Sequence, residues 1–333
     1  MQLDINQLLV RNPQIIKGNT LIVYPPVDRT LAKELKSGNC TLQSNDSRNH
    51  DFYQQQGLTS YFGLPGDFNT TNKPDNILLY WPKSKPFALS TLHWLANQID
   101  APTDIWVLAA NDAGGKSLNK PLSTVADQVS KVDMARKCSL WFGKLLPTDN
   151  YQWQQDMLSF TYEDLNLATY PGVFNSGKLD VGTRLLLENL TLPKSGKLLD
   201  LGCGSGVIGL TCKARQPELD VSLCDIDAMA LASSQYNSEQ LNLDVTIFPS
   251  DGLAAAEKYQ LIISNPPFHQ GKDTDYQFAE TLFSEAAKHL LPAGELWIVA
   301  NRHLAYEQWA GQHCRQTEVI VQAQGFKVLR CTY

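Results

Sequence analysis

Two stretches of this chain read as copies of one α/β unit, and that repeat restricts the fold more than any other feature. Residues 77–82, Ile-Leu-Leu-Tyr-Trp-Pro, answer to residues 261–266, Leu-Ile-Ile-Ser-Asn-Pro. Residues 104–111 parallel 295–301, with Trp106 matching Trp297, and the first strands match as 20–24 against 197–201. Each half has a helical pattern between these strands, around residues 92–95 and 282–286. Strands alternating with helices predict a doubly wound parallel sheet in each half. With 333 residues the chain is long for one hydrophobic core, and two domains of about 150 residues each are expected. The junction is placed between residues 147 and 165, giving domains 1–160 and 161–333.

The two copies differ in chemistry. In the second, the strand Leu198-Leu199-Asp200-Leu201 runs into Gly202-Cys203-Gly204-Ser205-Gly206, where glycines let a backbone approach a ligand closely. The next strand ends at Asp225, nineteen positions after Gly206, where an acid suits a ribose diol. A third ends in Ser250-Asp251-Gly252, where Asp251 can accept from an adenine amino group. The fourth delivers Asn265-Pro266-Pro267-Phe268 to the same edge of the sheet, where open parallel sheets bind ligands. Asn265 offers a side-chain carbonyl and Pro266 a backbone carbonyl, both acceptors for an NH2 group. Pro266 and Pro267 stiffen the loop and donate nothing, and Phe268 supplies a face on which a base stacks. This order of features favours a methyltransferase using S-adenosylmethionine over a nicotinamide dehydrogenase. In the first half the corresponding turn is Pro25-Pro26-Val27-Asp28, without glycine, and Trp81 is matched to Asn265. That half is read as a degenerate scaffold or recognition domain.

Bulk properties exclude several classes. Apolar content of 43% and charged content of 19% describe an ordinary soluble protein. No basic, apolar leader and no apolar run of eighteen residues is evident. Seven cysteines lie scattered without a Cys-x-x-Cys pair, which argues for free thiols in the cytoplasm and against a metal site. Cys203 is expected to fill a small slot in the glycine turn, since no base accompanies it. The net charge of −6 does not advertise a nucleic-acid binder. Between Gly114 and Pro147, however, Lys116, Lys120, Lys131, Arg136, Lys137 and Lys144 face only Asp127 and Asp133. Lys116, Lys120, Arg136 and Lys137 are taken as candidate RNA contacts, because phosphate binding is electrostatic and tolerates an acidic body elsewhere.

Along its whole length the chain resembles the bacterial 16S rRNA guanine-N2 methyltransferase C family. The likeness is carried by Tyr170-Pro171-Gly172-Val173-Phe174 with Leu179-Asp180-Val181-Gly182, by the glycine turn, and by Ser264-Asn265-Pro266-Pro267-Phe268-His269. Met134-Ala135-Arg136-Lys137-Cys138 with Phe142-Gly143 extends it into the first half. The resemblance implies two tandem class I methyltransferase-like, Rossmann-like domains, the first degenerate, with S-adenosylmethionine as donor and a guanine of the small ribosomal subunit as acceptor. The tail around Gly325 resembles the antiparallel ending of that fold. Family members carry Gly-Glu-Asn-Arg after the strand at 104–108, where this chain has Ala109-Ala110-Asn111-Asp112, and Asn301-Arg302-His303 adds charge where relatives are often apolar. Expected roles follow: Asp200 orders the turn, and Gly202, Gly204, Gly206, Asp225 and Asp251 hold the donor. Phe174 and Asp180 cover it, Asn265, Pro266 and Phe268 are catalytic, and Pro267 and His269 contact substrate. A large-subunit 23S rRNA enzyme and a non-catalytic rRNA assembly factor remain alternatives. No residue pattern encodes oligomeric state, and a monomer is the working expectation.

Overall fold

The structure, a computed structural model, describes residues 4–64, 73–174, 177–266 and 272–333, and the backbone alone over 272–277. The chain divides into two compact units, Met1–Met157 and Leu158–Tyr333.

In the first unit β1 (Asn19–Val23), β2 (Asn39–Ser44), β3 (Thr59–Phe62), β4 (Asn76–Tyr80), β5 (Thr103–Ala110), β6 (Ala126–Ala135) and β7 (Cys138–Leu145) form one sheet. Its order is β3-β2-β1-β4-β5-β7-β6. The helices are α1 (Gln7–Arg11), α2 (Arg29–Leu35), α3 (Ser47–Gln55), α4 (Lys85–Asn97) and α5 (Asn119–Leu122). The strands up to β5 run parallel, and β7 and β6 close the sheet antiparallel. β1 and β4 are apolar without alternation, as strands covered on both faces must be.

The second unit opens with a two-stranded ribbon, β8 (Leu158–Tyr162) and β9 (Leu165–Thr169). Its main sheet holds β10 (Gly196–Leu201), β11 (Leu219–Asp225), β12 (Thr246–Pro249), β13 (Tyr259–Ser264), β14 (Leu290–Asn301), β15 (Gln316–Ala323) and β16 (Phe326–Thr332). The order β12-β11-β10-β13-β14-β16-β15 repeats that of the first unit strand for strand. Helices α6 (Val181–Asn189), α7 (Val207–Arg215), α8 (Ala228–Leu241), α9 (Lys272–His289) and α10 (Tyr306–His313) complete it. One core gathers Leu186, Leu198, Leu210, Ile263 and Trp297 under α6 and α7. Another gathers Leu199, Ile262, Phe283, Leu296 and Tyr306 under α9 and α10.

The ladders correct the sequence matching by one residue. In the first unit Leu21 pairs with Ile77, and Ile77 with Ile105. In the second Leu199 pairs with Ile262, and Ile262 with Leu296. Ile22, Leu78 and Trp106 lie on the face covered by α1 and α2, as Leu198, Ile263 and Trp297 lie on the face under α6 and α7. A one-residue slip moves every side chain to the opposite face, so only one register matches both cores. It keeps Trp106 opposite Trp297 but pairs Val23 with Leu201 and Tyr80, not Trp81, with Asn265. Helix starts agree, for the N-caps Asp28 of α2 and Gly206 of α7 then coincide.

That register sets a polar network of the first unit where the second has its glycine turn and amide. The buried Tyr80 hydroxyl donates to Asn6 Oδ1 at 2.7 Å, and Asn6 Nδ2 donates to Asp28 Oδ2 at 2.7 Å. Asp28 also caps α2, accepting from the N–H groups of Thr30 and Leu31 at 2.8 and 3.1 Å. Where the second unit carries an amide and a glycine, the first has a closed polar network.

Candidate active site

Gly202, Gly204 and Gly206 all adopt the left-handed backbone, with φ of 73°, 55° and 80°. Only glycine does so without strain, and the turn depends on it. A Cβ on Gly202 would meet nothing within 4 Å, and one on Gly204 would meet only Val173 Cγ1 at 3.9 Å, so these two border open space. Gly206 is the reverse, since its Cβ would fall 2.8 Å from Leu223 Cδ2 and 2.9 Å from Ser234 Oγ. The turn is tied to β11 by the Gly202 and Cys203 N–H groups, which both donate to the Cys224 carbonyl at 2.9 and 3.0 Å. Cys203 is buried against Ser234 Oγ at 3.4 Å, and burial pushes its thiol well above the ordinary range. A protonated thiol is no nucleophile.

Asp200 sits beneath this turn, fully buried. Its Oδ2 accepts the Gly209 N–H at 2.8 Å, supplying the side-chain cap that Gly206 cannot give to α7. Its Oδ1 has no partner among the described residues. Burial raises its carboxyl to about 7, the Gly209 hydrogen bond opposes this, and the Asp225 charge adds to it. The folded state therefore holds a proton that the unfolded chain releases near pH 4. Stability contributed by this group is complete below that pH and is lost as pH rises through about 7. Thermal melts of Asp200→Asn are expected to fall less than wild type between pH 5 and 8. Parallel curves would remove Asp200 as the source.

Asp225, half-buried at the end of β11, accepts Gly204 N–H on Oδ2 and Asp227 N–H on Oδ1, each at 3.0 Å. Two oxygens carry about four lone pairs, so the fixed carboxylate can also receive ribose hydroxyls. Asp227 caps α8 through Met229 N–H at 2.7 Å, as its place before the helix predicts. The Ser250 N–H donates to the Asp225 carbonyl at 3.0 Å, which brings the exposed Asp251 to the same sheet edge. These residues and the open space beside Gly202 and Gly204 fit a nucleoside-bearing methyl donor. Phe174 is 46% exposed at the preceding loop.

β13 brings Asn265 to the same edge of the sheet. Leu201 pairs with Ser264, whose hydroxyl donates to the Leu201 carbonyl at 2.9 Å, so Asn265 begins beside the glycine turn. Asn265 Nδ2 donates to Asp180 Oδ2 at 3.0 Å and to Thr183 Oγ1 at 2.7 Å. Its Oδ1 is buried without a partner among the described residues. Such an orphan acceptor costs roughly 1–3 kcal/mol, which a ligand N–H would recover. Asp180 is the N-cap of α6, accepting the Thr183 N–H at 2.9 Å. The sequence reading made it a donor cover, and the structure gives its carboxylate to α6 and to Asn265. Thr183 escaped that reading altogether, since nothing local marks it. Pro266 is buried; Pro267, Phe268 and His269 lie outside the described residues.

In the first unit Arg136 and Lys137 form the two-residue turn between β6 and β7, both exposed and both left-handed at φ 49° and 60°. Lys144 is paired to Asp104 at 2.7 Å, and Asp133 to Arg11 at 3.0 Å. Lys131 donates to the Lys116 carbonyl at 3.0 Å and lies 4.9 Å over the Trp141 ring. Lys116, Lys120, Arg136 and Lys137 stay exposed and in no ion pair among the described residues. No cluster of metal-ligating side chains occurs among those residues, and no described helix is long and apolar enough to cross a membrane.

The methyltransferase small domain matches residues 164–330, and its N-terminal companion domain matches residues 6–159. The ribosomal RNA small subunit methyltransferase C of Vibrio parahaemolyticus is 37% identical over 312 residues, covering 90% of each chain. That of Psychromonas ingrahamii is 32% identical over 334 residues, covering 98% of this chain and 96% of its own. A T. thermophilus 16S rRNA N2 methyltransferase, solved with AdoMet and guanosine, superposes with a TM-score of 0.82 at 21% identity, over 95% of this chain and 88% of that one. With both halves matched in order and relatives aligned nearly end to end, the chain belongs to the ribosomal RNA small subunit methyltransferase C family.

Proposed function

We propose that this chain transfers a methyl group from S-adenosylmethionine to the exocyclic N2 of a guanine in 16S rRNA. The observation that carries this reading is the buried carbonyl of Asn265 at the end of β13, without a partner among the described residues and beside a glycine turn that borders open space. The donor, when bound, supplies a methyl already activated by positive sulfur. The chain must therefore orient an amine whose lone pair is delocalised, and orientation is what fixed acceptors provide. Asn265 Oδ1 takes one N–H and the Pro266 carbonyl the other, which aims the lone pair, normal to the ring, at the methyl; the C–N bond forms as the methyl's C–S bond breaks, and the surplus N–H proton passes to solvent. Positive charge developing on that nitrogen meets acceptors set before reaction. Phe268 stacks on the base, worth about 1–3 kcal/mol, and the guanine leaves its own stack to reach the site. Gly202, Gly204, Asp225 and Asp251 hold the donor. The first unit serves recognition, with Lys116, Lys120, Arg136 and Lys137 on phosphates. The protein works in the cytoplasm as a monomer.

Labelled donor with isolated small and large subunits from cells lacking the activity tests this. Incorporation at guanine N2 of 16S rRNA alone is expected, and incorporation into 23S rRNA alone would overturn the acceptor. In the same assay Arg136→Ala with Lys137→Ala raises KM at unchanged kcat and lowers the salt slope by roughly two. An unchanged salt slope would take these two residues off the phosphates.

A further inference from the structure

We propose that Asp180 and Thr183 are positioning residues that decide which end of the Asn265 amide meets the acceptor amine. This rests on the reading of Asn265 as the ligand of that amine. The two ends of an amide are nearly equal in size and opposite in chemistry, for the carbonyl accepts and the NH2 donates. Flipped, Asn265 would set donors against donors. Packing alone does not prevent the flip; the partners of Nδ2 do.

Both Nδ2 hydrogens are used. One goes to Asp180 Oδ2 at 3.0 Å, the other to Thr183 Oγ1 at 2.7 Å. A hydroxyl would tolerate either end of the amide, since it both donates and accepts. Asp180 Oδ2 acts here only as an acceptor, taking both Asn265 Nδ2 and the Thr183 N–H, so Asp180 supplies the discrimination and Thr183 the second anchor. Asp180 is itself immobilised, because the same oxygen receives the Thr183 N–H at 2.9 Å as the N-cap of α6. The start of α6 is thereby the frame of the acceptor site, and Oδ1 is the end left over. A plain helix cap would be indifferent to what residue 265 offers it.

Exchange of the two side chains tests this in the full-length protein, with labelled S-adenosylmethionine and unmethylated small subunits. Asn265→Asp sets two carboxylates against each other. Its turnover at pH 8 should fall at least about a hundredfold, the scale of losing a preset polar group. The double variant Asp180→Asn, Asn265→Asp restores one donor facing one carboxylate, and Asn caps a helix as well as Asp. It should regain at least about tenfold over Asn265→Asp at pH 8. Thr183→Val should lower kcat by about tenfold with donor affinity unchanged, the scale of one neutral hydrogen bond, while Thr183→Ser keeps wild-type rates. Failure of the double variant to exceed Asn265→Asp, with both melting as wild type, overturns the proposal. So does Thr183→Val at the wild-type kcat. An active Asn265→Ala sinks the underlying reading instead, and an inactive one with no rescue by exchange sinks only the positioning roles.

Discussion

Replacing Asn265 by alanine is expected to lower kcat by roughly a hundredfold or more, the usual scale for removing one preset polar group from a reacting centre. Asn265 is half-buried, and the truncation removes the orphan carbonyl while leaving the glycine turn and Asp225 in place. Donor affinity, measured by calorimetry, should therefore stay close to wild type. The loss belongs in kcat and in kcat/KM alike, as for an interaction made only in the transition state. A variant that turns over near the wild-type rate would show that residue 265 does not grip the amine. A variant that no longer binds donor would show that the amide supports the cofactor side instead.

The largest structural effect is expected at Gly206. Valine there must accept φ of 80°, and its Cβ alone would sit 2.8 Å from Leu223 Cδ2 and 2.9 Å from Ser234 Oγ. The left-handed backbone costs about 1–2 kcal/mol, and overpacking adds about 1–3 kcal/mol. Gly206→Val should thus lose roughly 2–5 kcal/mol and lower the melting temperature by about 10 °C. Relief of the clash moves the turn, so donor binding should vanish with the stability. A melt within a degree or two of wild type would mean that the turn yields at little cost.

The sequence revealed the strand ends well, because each message there is local. Glycines follow β10, an acid ends β11, and Asn-Pro-Pro follows β13, with every meaning contained in a few residues. What escaped was coupling across distance. Thr183 and Asp180 meet Asn265 over separations of 82 and 85 residues, and no short motif announces such a bond. The duplication was legible as a pattern, yet β1 and β4 were matched one residue out. A run of apolar residues buried on both faces carries no alternation from which to read the pleat. Tryptophan in β5 and β14 anchored the match there because one large side chain marks its face. The basic stretch was visible as composition, but only the hairpin shows that Lys144 and Lys131 are spent on Asp104 and Trp141.

The network of Tyr80, Asn6 and Asp28 sets what it would cost to give the first unit a turn like that after β10. Opening space there would first require giving up a buried aromatic side chain, a loss of about 3 kcal/mol or more. Next, glycine would have to replace the carboxylate that starts α2. Every early step costs stability before any ligand can reward it. The polar network thus fixes the order in which this half could acquire a glycine turn, and sets a loss of stability at the head of it.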